Sequence, residues 1–354
     1  MIPFILLPLA GLAVLAGGVL LPGNGWVLLA CVPALLGAVL ASVHHAEVIA
    51  HRVGEPLGTL VLALAVTVIE AALVLSIMLA GGANSAAVPR DTVYSAVMII
   101  CNGVVGVCIL VGGIRHREQS FRIEGTGSGL AALAALSALV LIVPTFTTSS
   151  PGATYTNSQL VFVALSSLAL WAIFVFIQTV RHRDYFLPTT SPDDESVHAP
   201  PPTLGATWAS AGLLLLALVA VVGLAKLLSP TLERLVAHWE APQAVVGILI
   251  AMIVLLPETW AALRAARADR LQTSLNLAIG SAMASIGLTV PVVAAASVWL
   301  GLPLTLGIES KDIALLALTF VVGSITLATG RTNMLQGAIH LVIFAAFLFL
   351  TLVP

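Results

Sequence analysis

The sequence predicts an all-α membrane protein of 11 transmembrane helices, with one extra N-terminal helix ahead of two inverted five-helix repeats. Three observations predict it. Of the 354 residues, 59% are hydrophobic and 8% charged, where soluble domains carry about 25% charged residues. Apolar runs of about 20 residues, long enough to cross a hydrocarbon core of ~30 Å, recur along the chain. Two of those runs each hold one deep glutamate and open with a proline: Glu70 follows Pro56, and Glu258 follows Pro242. The net charge of −2 offers nucleic acid no complementary field, so the partners read from composition are the lipid bilayer and small ions.

Taken in order, the apolar cores fall at 2–21, 26–43, 57–80, 91–113, 129–146, 159–180, 207–228, 243–263, 274–300, 312–329 and 334–353. The first has no basic leader and no cleavage site, so it reads as a membrane helix and not as a removed signal peptide. Residues 1–22 then form the extra helix, 23–180 the first repeat and 206–354 the second. Between the repeats, 181–205 is an acidic, proline-rich segment with the composition of a solvated linker. Its Asp193, Asp194 and Glu195 also allow a cation-sensing loop. With the N-terminus in the cytoplasm, ten of the 14 Lys and Arg fall in cytoplasmic loops and four outside. That bias sets the orientation and, with an odd number of crossings, puts the C-terminus outside.

This topology inverts the repeat. Segment three enters from the cytoplasm and segment eight from outside, so Glu70 and Glu258 approach the midplane from opposite faces. Each lies 14–16 residues past its proline, roughly 21–24 Å of helix and near the centre of the core. A carboxylate there costs about 2.5–3.5 kcal/mol on insertion scales and is a functional residue by default. Pro257, just before Glu258, has no N–H, which frees the carbonyl of Ile253 beside the acid. No Lys or Arg sits deep in a span to neutralise either glutamate. Two such carboxylates raise each other's proton affinity and titrate as a coupled pair. An arriving cation favours both charged forms, so cation and proton compete, which is the core of an antiport mechanism.

Other side chains carry two readings each. Glu55, before Pro56, is a helix cap or part of an ion path. Asn102, Ser281, Ser285 and Asn333 supply neutral oxygens for an ion or glue between helices. His340 is a proton relay or a packing residue. Gly103, Gly106, Gly280 and Ala284 read as close helix contacts. His44, His45, Glu47 and His51 cluster where the second span ends, as an interfacial polar face or a metal site. Cys31, Cys101 and Cys108 lack metal spacing and read as packing residues.

At this point the chain resembles a known family, the cation/proton exchangers of the calcium/cation antiporter superfamily, and within it the bacterial ChaA-type branch. The likeness rests on GEPLGTL followed by Glu70 in the first repeat, and on Glu258, Ile279-Gly280-Ser281 and Val290-Pro291 in the second. RDTVYSAVMI, LTVPVV and the tail TGRTNMLQGAIHLVIFAA extend it over nearly the whole chain. The resemblance implies one helix plus two inverted five-helix halves, Glu70 and Glu258 as the cation- and proton-binding pair and the metal ligands, and an inner-membrane location. It implies no cofactor; Ca2+, or Na+ and K+, moves against H+. Many calcium exchangers carry Gly-Asn-Ala-x-Glu in both repeats, and many have a polar amide shortly after Gly280. Here the runs are Val66–Glu70 and Leu255–Glu258, and residue 284 is Ala284. Calcium takes six to eight oxygen ligands, so these missing amides leave Na+ or K+ open.

The reading is a cation/proton antiporter working by alternating access. Its rivals are an exchanger or uniporter without proton coupling and, from another class, an intramembrane hydrolase. The hydrolase needs a nucleophile–base pair or several deep His ligands, whereas His340 is the only histidine far from a span end. The linker yields a first prediction. Replacing 191–202 with Gly/Ser of equal length leaves the transport rate near that of the native chain in reconstituted vesicles; a large fall, or a shifted cation dependence, would favour the sensing loop.

Overall fold

The computed structural model describes residues 2–54, 57–81, 85–187, 202–238 and 242–353. Glu55 and, apart from Pro202, the 191–202 linker lie outside the described residues. Ten described segments are long and apolar enough to cross a membrane, and Leu57–Gly81, with its apolar stretch Leu64–Ala80, makes the eleventh. The spans follow the predicted order. Large exposed side chains such as Trp26, Leu29, Phe162 and Val342 have an apolar solvent in the bilayer, where in water they would mark a liability.

The first compact unit holds Met1–Ala86 with Glu195–Ala241, and so contains α1 (Ile2–Leu20), α2 (Gly25–Val53), α3 (Leu57–Gly81) and α9 (Leu204–His238). Helix α2 starts where Asn24 accepts from the backbone N–H groups of Trp26 and Val27, a side-chain N-cap. It runs ten residues past the predicted 26–43 core, because nothing breaks it before Gly54, whose φ of 78° ends it. His44, His45, Glu47 and His51 therefore lie inside a helix and not beyond its end. Small residues let α1, α2 and α9 meet: a Cβ on Gly11 would stand 3.1 Å from Ala220 and 3.6 Å from Ala38. One polar pin crosses the same junction. Pro8 lacks an N–H, so the Phe4 carbonyl one turn back has no helical donor. His45 Nε2 takes that place at 3.1 Å, and Nδ1 meets Ser210 Oγ on α9 at 3.3 Å.

The second unit holds Ala87–Asp194 with Pro242–Pro354. Its long rods are assembled from shorter pieces. α4 (Val88–Met98) and α5 (Val105–His116) are joined through a π-helical turn at Ile99–Val104, and α6 (Ile123–Ser137) and α7 (Val143–Phe146) through another at Ala138–Ile142. α8 (Asn157–Phe176) ends in a third at Ile177–Arg181. α10 (Ala244–Arg267) passes unbroken through Pro257, and α11 (Leu271–Ala284) continues through a π-helical turn at Ser285–Thr289 into α12 (Val290–Leu300). α13 (Ser310–Leu327) and α14 (Met334–Leu352) complete it. The rods that follow the two glutamate helices, Val88–His116 and Leu271–Leu300, each carry a wide turn near the middle. π-helical turns of this kind concentrate at functional sites.

At one end of this unit the loops are bonded into a plate. β1 (Glu118–Ser120) pairs antiparallel with β2 (Arg331–Asn333), Gln119 opposite Thr332. Gln119 Nε2 donates to the Ala266 carbonyl and to Asp269, each at 2.9 Å. Gln272 Oε1 accepts from the Arg122 N–H at 2.6 Å, and Asn276 Nδ2 donates to the Phe186 carbonyl at 2.6 Å. Nine of the ten arginines expected in the cytoplasm, Arg115 to Arg331, belong to the loops and helix ends gathered there.

Glycine seats α14 on α5. A Cβ on Gly337 would come within 2.4 Å of the Leu110 backbone nitrogen, and one on Gly106 within 3.1 Å of His340 Cβ. Gly280, expected to serve the same purpose, makes no such contact among the described residues: a Cβ there would meet none of them within 4 Å. A contrast in stability follows. Gly337→Ala overpacks a backbone contact and destabilises by about 1–3 kcal/mol, whereas Gly280→Ala is neutral or gains up to about 1 kcal/mol from helix propensity. Thermal midpoints of both variants in detergent check it, and equal shifts would refute the close approach at Gly337.

Candidate functional site

The two deep carboxylates fall in different units. Glu70 sits on α3 in the first, 3% exposed, with Val66, Thr67, Ile69 and Val74 buried around it on the same helix. Glu258 sits on α10 in the second and is half-buried. Each lies 13 or 14 residues from the start of its described helix, roughly 20 Å along the axis. Next to Glu258, Pro257 deprives the Ile253 carbonyl of its helical N–H, while the Thr259 hydroxyl donates to the Leu255 carbonyl at 2.7 Å.

Of the neutral candidates, the structure brings two together. Asn102 is fully buried in the π-helical turn Ile99–Val104. Its Oδ1 lies 3.2 Å from His340 Nδ1, and its Nδ2 donates to Thr319 Oγ1 at 2.9 Å. Thr319 donates to the Leu315 carbonyl at 2.8 Å, and His340 Nε2 lies 3.1 Å from Thr326 Oγ1. An amide oxygen only accepts, so the Asn102 orientation makes His340 Nδ1 the donor; in the neutral ring Nε2 then accepts from the Thr326 hydroxyl. The result is one directed chain, Thr326 to His340 to Asn102 to Thr319 to a carbonyl. A cavity of about 20 Å³ lies beside it, lined by Cys101, Thr319, Gly323, His340 and apolar neighbours.

The other candidates are placed separately. Ser285 is buried and opens the π-helical turn Ser285–Thr289, and Ser281 is half-buried one turn earlier on α11. Asn333 is exposed at a rod end. It closes β2 and caps α14, accepting from the Leu335 and Gln336 backbone N–H groups while Gln336 bonds back to its own N–H. Its oxygens serve that cap and not a site at depth. Among the described residues, those of α2 included, no group of three or more ligating side chains occurs. Both ring nitrogens of His45 are bonded, and His44 stacks on Phe4 with centroids 3.9 Å apart. Cys31, Cys101 and Cys108 are free and buried.

Three features escape the sequence. Thr319 and Thr326 look like ordinary members of an apolar run, although their seven-residue spacing puts them on one face of α13. Asp91 is, with Glu70, one of two buried acids among the described residues, 6% exposed at the first turn of α4, with Arg90 Nε 2.8 Å away. Its signal was the adjacent base, which also reaches the Gly307 carbonyl at 3.1 Å. Around the second rod, the hydroxyls of Ser137, Ser167 and Thr289 are buried with no hydrogen-bond partner among the described residues. We have no physical account of them.

Known proteins give this geometry its context. The model of the family described as sodium/calcium exchanger protein matches residues 24–180 and 209–353, omitting α1 and the linker. The protein y4hA of Sinorhizobium fredii is 50% identical over 94% of this chain and 91% of its own. The sodium-potassium/proton antiporter ChaA of Escherichia coli is 36% identical over 89% of this chain and 85% of its own. The crystal structure of the Ca2+/H+ antiporter YfkE superposes with a TM-score of 0.73 over 99% of both chains, at 13% identity, and so speaks for the fold alone. The helical architecture with its many spans agrees with that fold, and the chain is a multi-pass membrane protein of a transporter family and not an enzyme. With most of its length matched by the family model, this protein belongs to the sodium/calcium exchanger family.

Proposed function

We propose that the protein exchanges cytoplasmic cations for protons by alternating access, with Glu70 and Glu258 binding cation and proton competitively. One observation carries the reading. The only two glutamates near the middle of described spanning helices occupy matching places in the two repeats. Arginine supports the direction: the plate with nine of them faces the cytoplasm of a bacterial inner membrane under the positive-inside rule. The N-terminus is then cytoplasmic and the C-terminus outside.

Ca2+, Na+ and K+ are the candidate cations. The relative with the greater identity and a stated substrate is a sodium-potassium/proton antiporter. Two carboxylates supply at most four oxygens, short of the six to eight calcium takes, and no amide precedes either glutamate in its helix turn. Both points favour the monovalent ions.

Two outcomes test this reading. Glu258→Gln abolishes cation-driven proton movement in proteoliposomes while the protein still inserts and elutes as the native chain does; normal exchange in that variant would remove Glu258 from the site. The pH dependence is the second. Below the pKa values of both carboxylates, protons neutralise the pair and the cation must displace them, so affinity weakens as pH falls. Apparent Kd then rises up to ~100-fold per pH unit if two protons leave, and ~10-fold if one does. Glu70→Gln removes one titrating group and flattens the slope. Half-saturation measured between about pH 6 and 9 decides it: a pH-independent affinity would end the competition model.

A further inference from the structure

We propose that His340 is a positioning residue for transport: held between Thr326 and Asn102, it fixes the Asn102 amide and so latches the π-helical turn Ile99–Val104 to α13 and α14. The inference rests on the transport reading above.

The described bonds fit neither of the two obvious roles for this histidine. A proton relay needs an exit, and among the described residues the chain toward Asn102 offers none. Beyond His340 comes an amide, which has no acidic proton to pass on, then a hydroxyl that ends on the Leu315 carbonyl at 2.8 Å. Among the described residues, no Asp, Glu, Lys or Arg lines the adjoining cavity, whose described walls come from α4's rod, α6, α11, α13 and α14. Simple space-filling fits no better. His340 is 2% exposed, yet both its nitrogens bond to other elements, one to the π-helical turn and one to α13.

The turn needs such a latch. A π-helical turn is a local irregularity with poorer internal register than the α-helix on either side, and here packing is incomplete: the cavity of about 20 Å³ borders Ile100, Cys101, Thr319 and His340. Asn102, fully buried in the turn, is held by hydrogen bonds to both Thr319 and His340, the two partners that border this cavity. The latched turn lies against α10, the Glu258 helix. Ile100 from the turn and Leu255, three residues before Glu258, belong to one buried core. A shift of the turn would thus reach the glutamate helix through packed side chains.

The test uses the full chain in proteoliposomes, with Na+, K+ and Ca2+ offered separately across a pH series. His340→Gln keeps a donor for Asn102 and an acceptor for Thr326 but cannot carry a proton; it retains exchange within about 3-fold of the native chain and the same pH profile. His340→Leu lowers the maximal rate about 10-fold or more while half-saturation moves less than about 3-fold. Asn102→Leu does the same, and the double variant is no slower than the slower single, because the histidine acts through the amide. Loss of exchange in His340→Gln equal to that in His340→Leu would overturn the proposal in favour of proton carrying. Native rates in His340→Leu would overturn it in favour of packing. If His340→Leu fails to insert, Asn102→Leu against His340→Gln still decides, since the latch requires the first slow and the second fast. Absence of proton movement in the native chain would instead refute proton coupling; the order native, His340→Gln, then His340→Leu in cation–cation exchange would still report on the latch.

Discussion

Hydrocarbon provides no hydrogen bonds, and that constraint accounts for most of what is irregular in this protein. A spanning helix satisfies its own backbone, so each departure from plain helix leaves a group that the protein must serve. Pro8 frees the Phe4 carbonyl, and His45 arrives from the next helix to donate to it. The π-helical turn at Ile99–Val104 carries a buried amide, and three side chains from α13 and α14 satisfy it in sequence. Even the loops follow the rule: glutamine and asparagine side chains on the plate bond the carbonyls where helices end. Polar residues inside the spans are thus few, and those bonded at the irregular places each serve a freed backbone or amide group.

The repeats show the same economy. Each glutamate helix is followed by a rod of 29 or 30 residues with a wide turn near its middle. In the first rod the turn presents Asn102 to a chain of partners. In the second it presents Ser285 and Thr289, hydroxyls where the first has an amide. Five crossings separate equivalent helices, so the two rods run in opposite senses and the wide turns meet opposite ends of the chain's polarity. The two rods thus share a backbone device and differ in the side chains it carries.

Much of this was legible in the residues. Span number, order and the two deep acids follow from apolar length and from charge placed where hydrocarbon penalises it, a signal of several kcal/mol per residue. Helix ends were less legible. The second span outran its apolar core because His44, His45 and Glu47 continue a helix that only Gly54 stops. Asn333 shows the opposite error: an amide beside an apolar run looks like an ion ligand, yet an N-cap uses the same oxygen. Gly280 misled for a related reason, since small size permits close approach without requiring it. Partnerships across the sequence, such as Asn102 with Thr319, lie 217 positions apart and no local pattern announces them.

Electrostatics joins the fold to the proposed exchange. Among the described residues, arginine and lysine keep to the loops and the ends of the spans, and both ring nitrogens of His45 and of His340 are bonded to uncharged partners. A protonated His340 would add a positive charge to the core that packs against α10, and that charge would bias Glu258 toward ionisation without any cation bound. In the proposed exchange, an uncharged ring would leave the charge of the carboxylates to be balanced by what is transported. Competition between cation and proton is an electrostatic exchange only while no fixed base nearby can take the place of either.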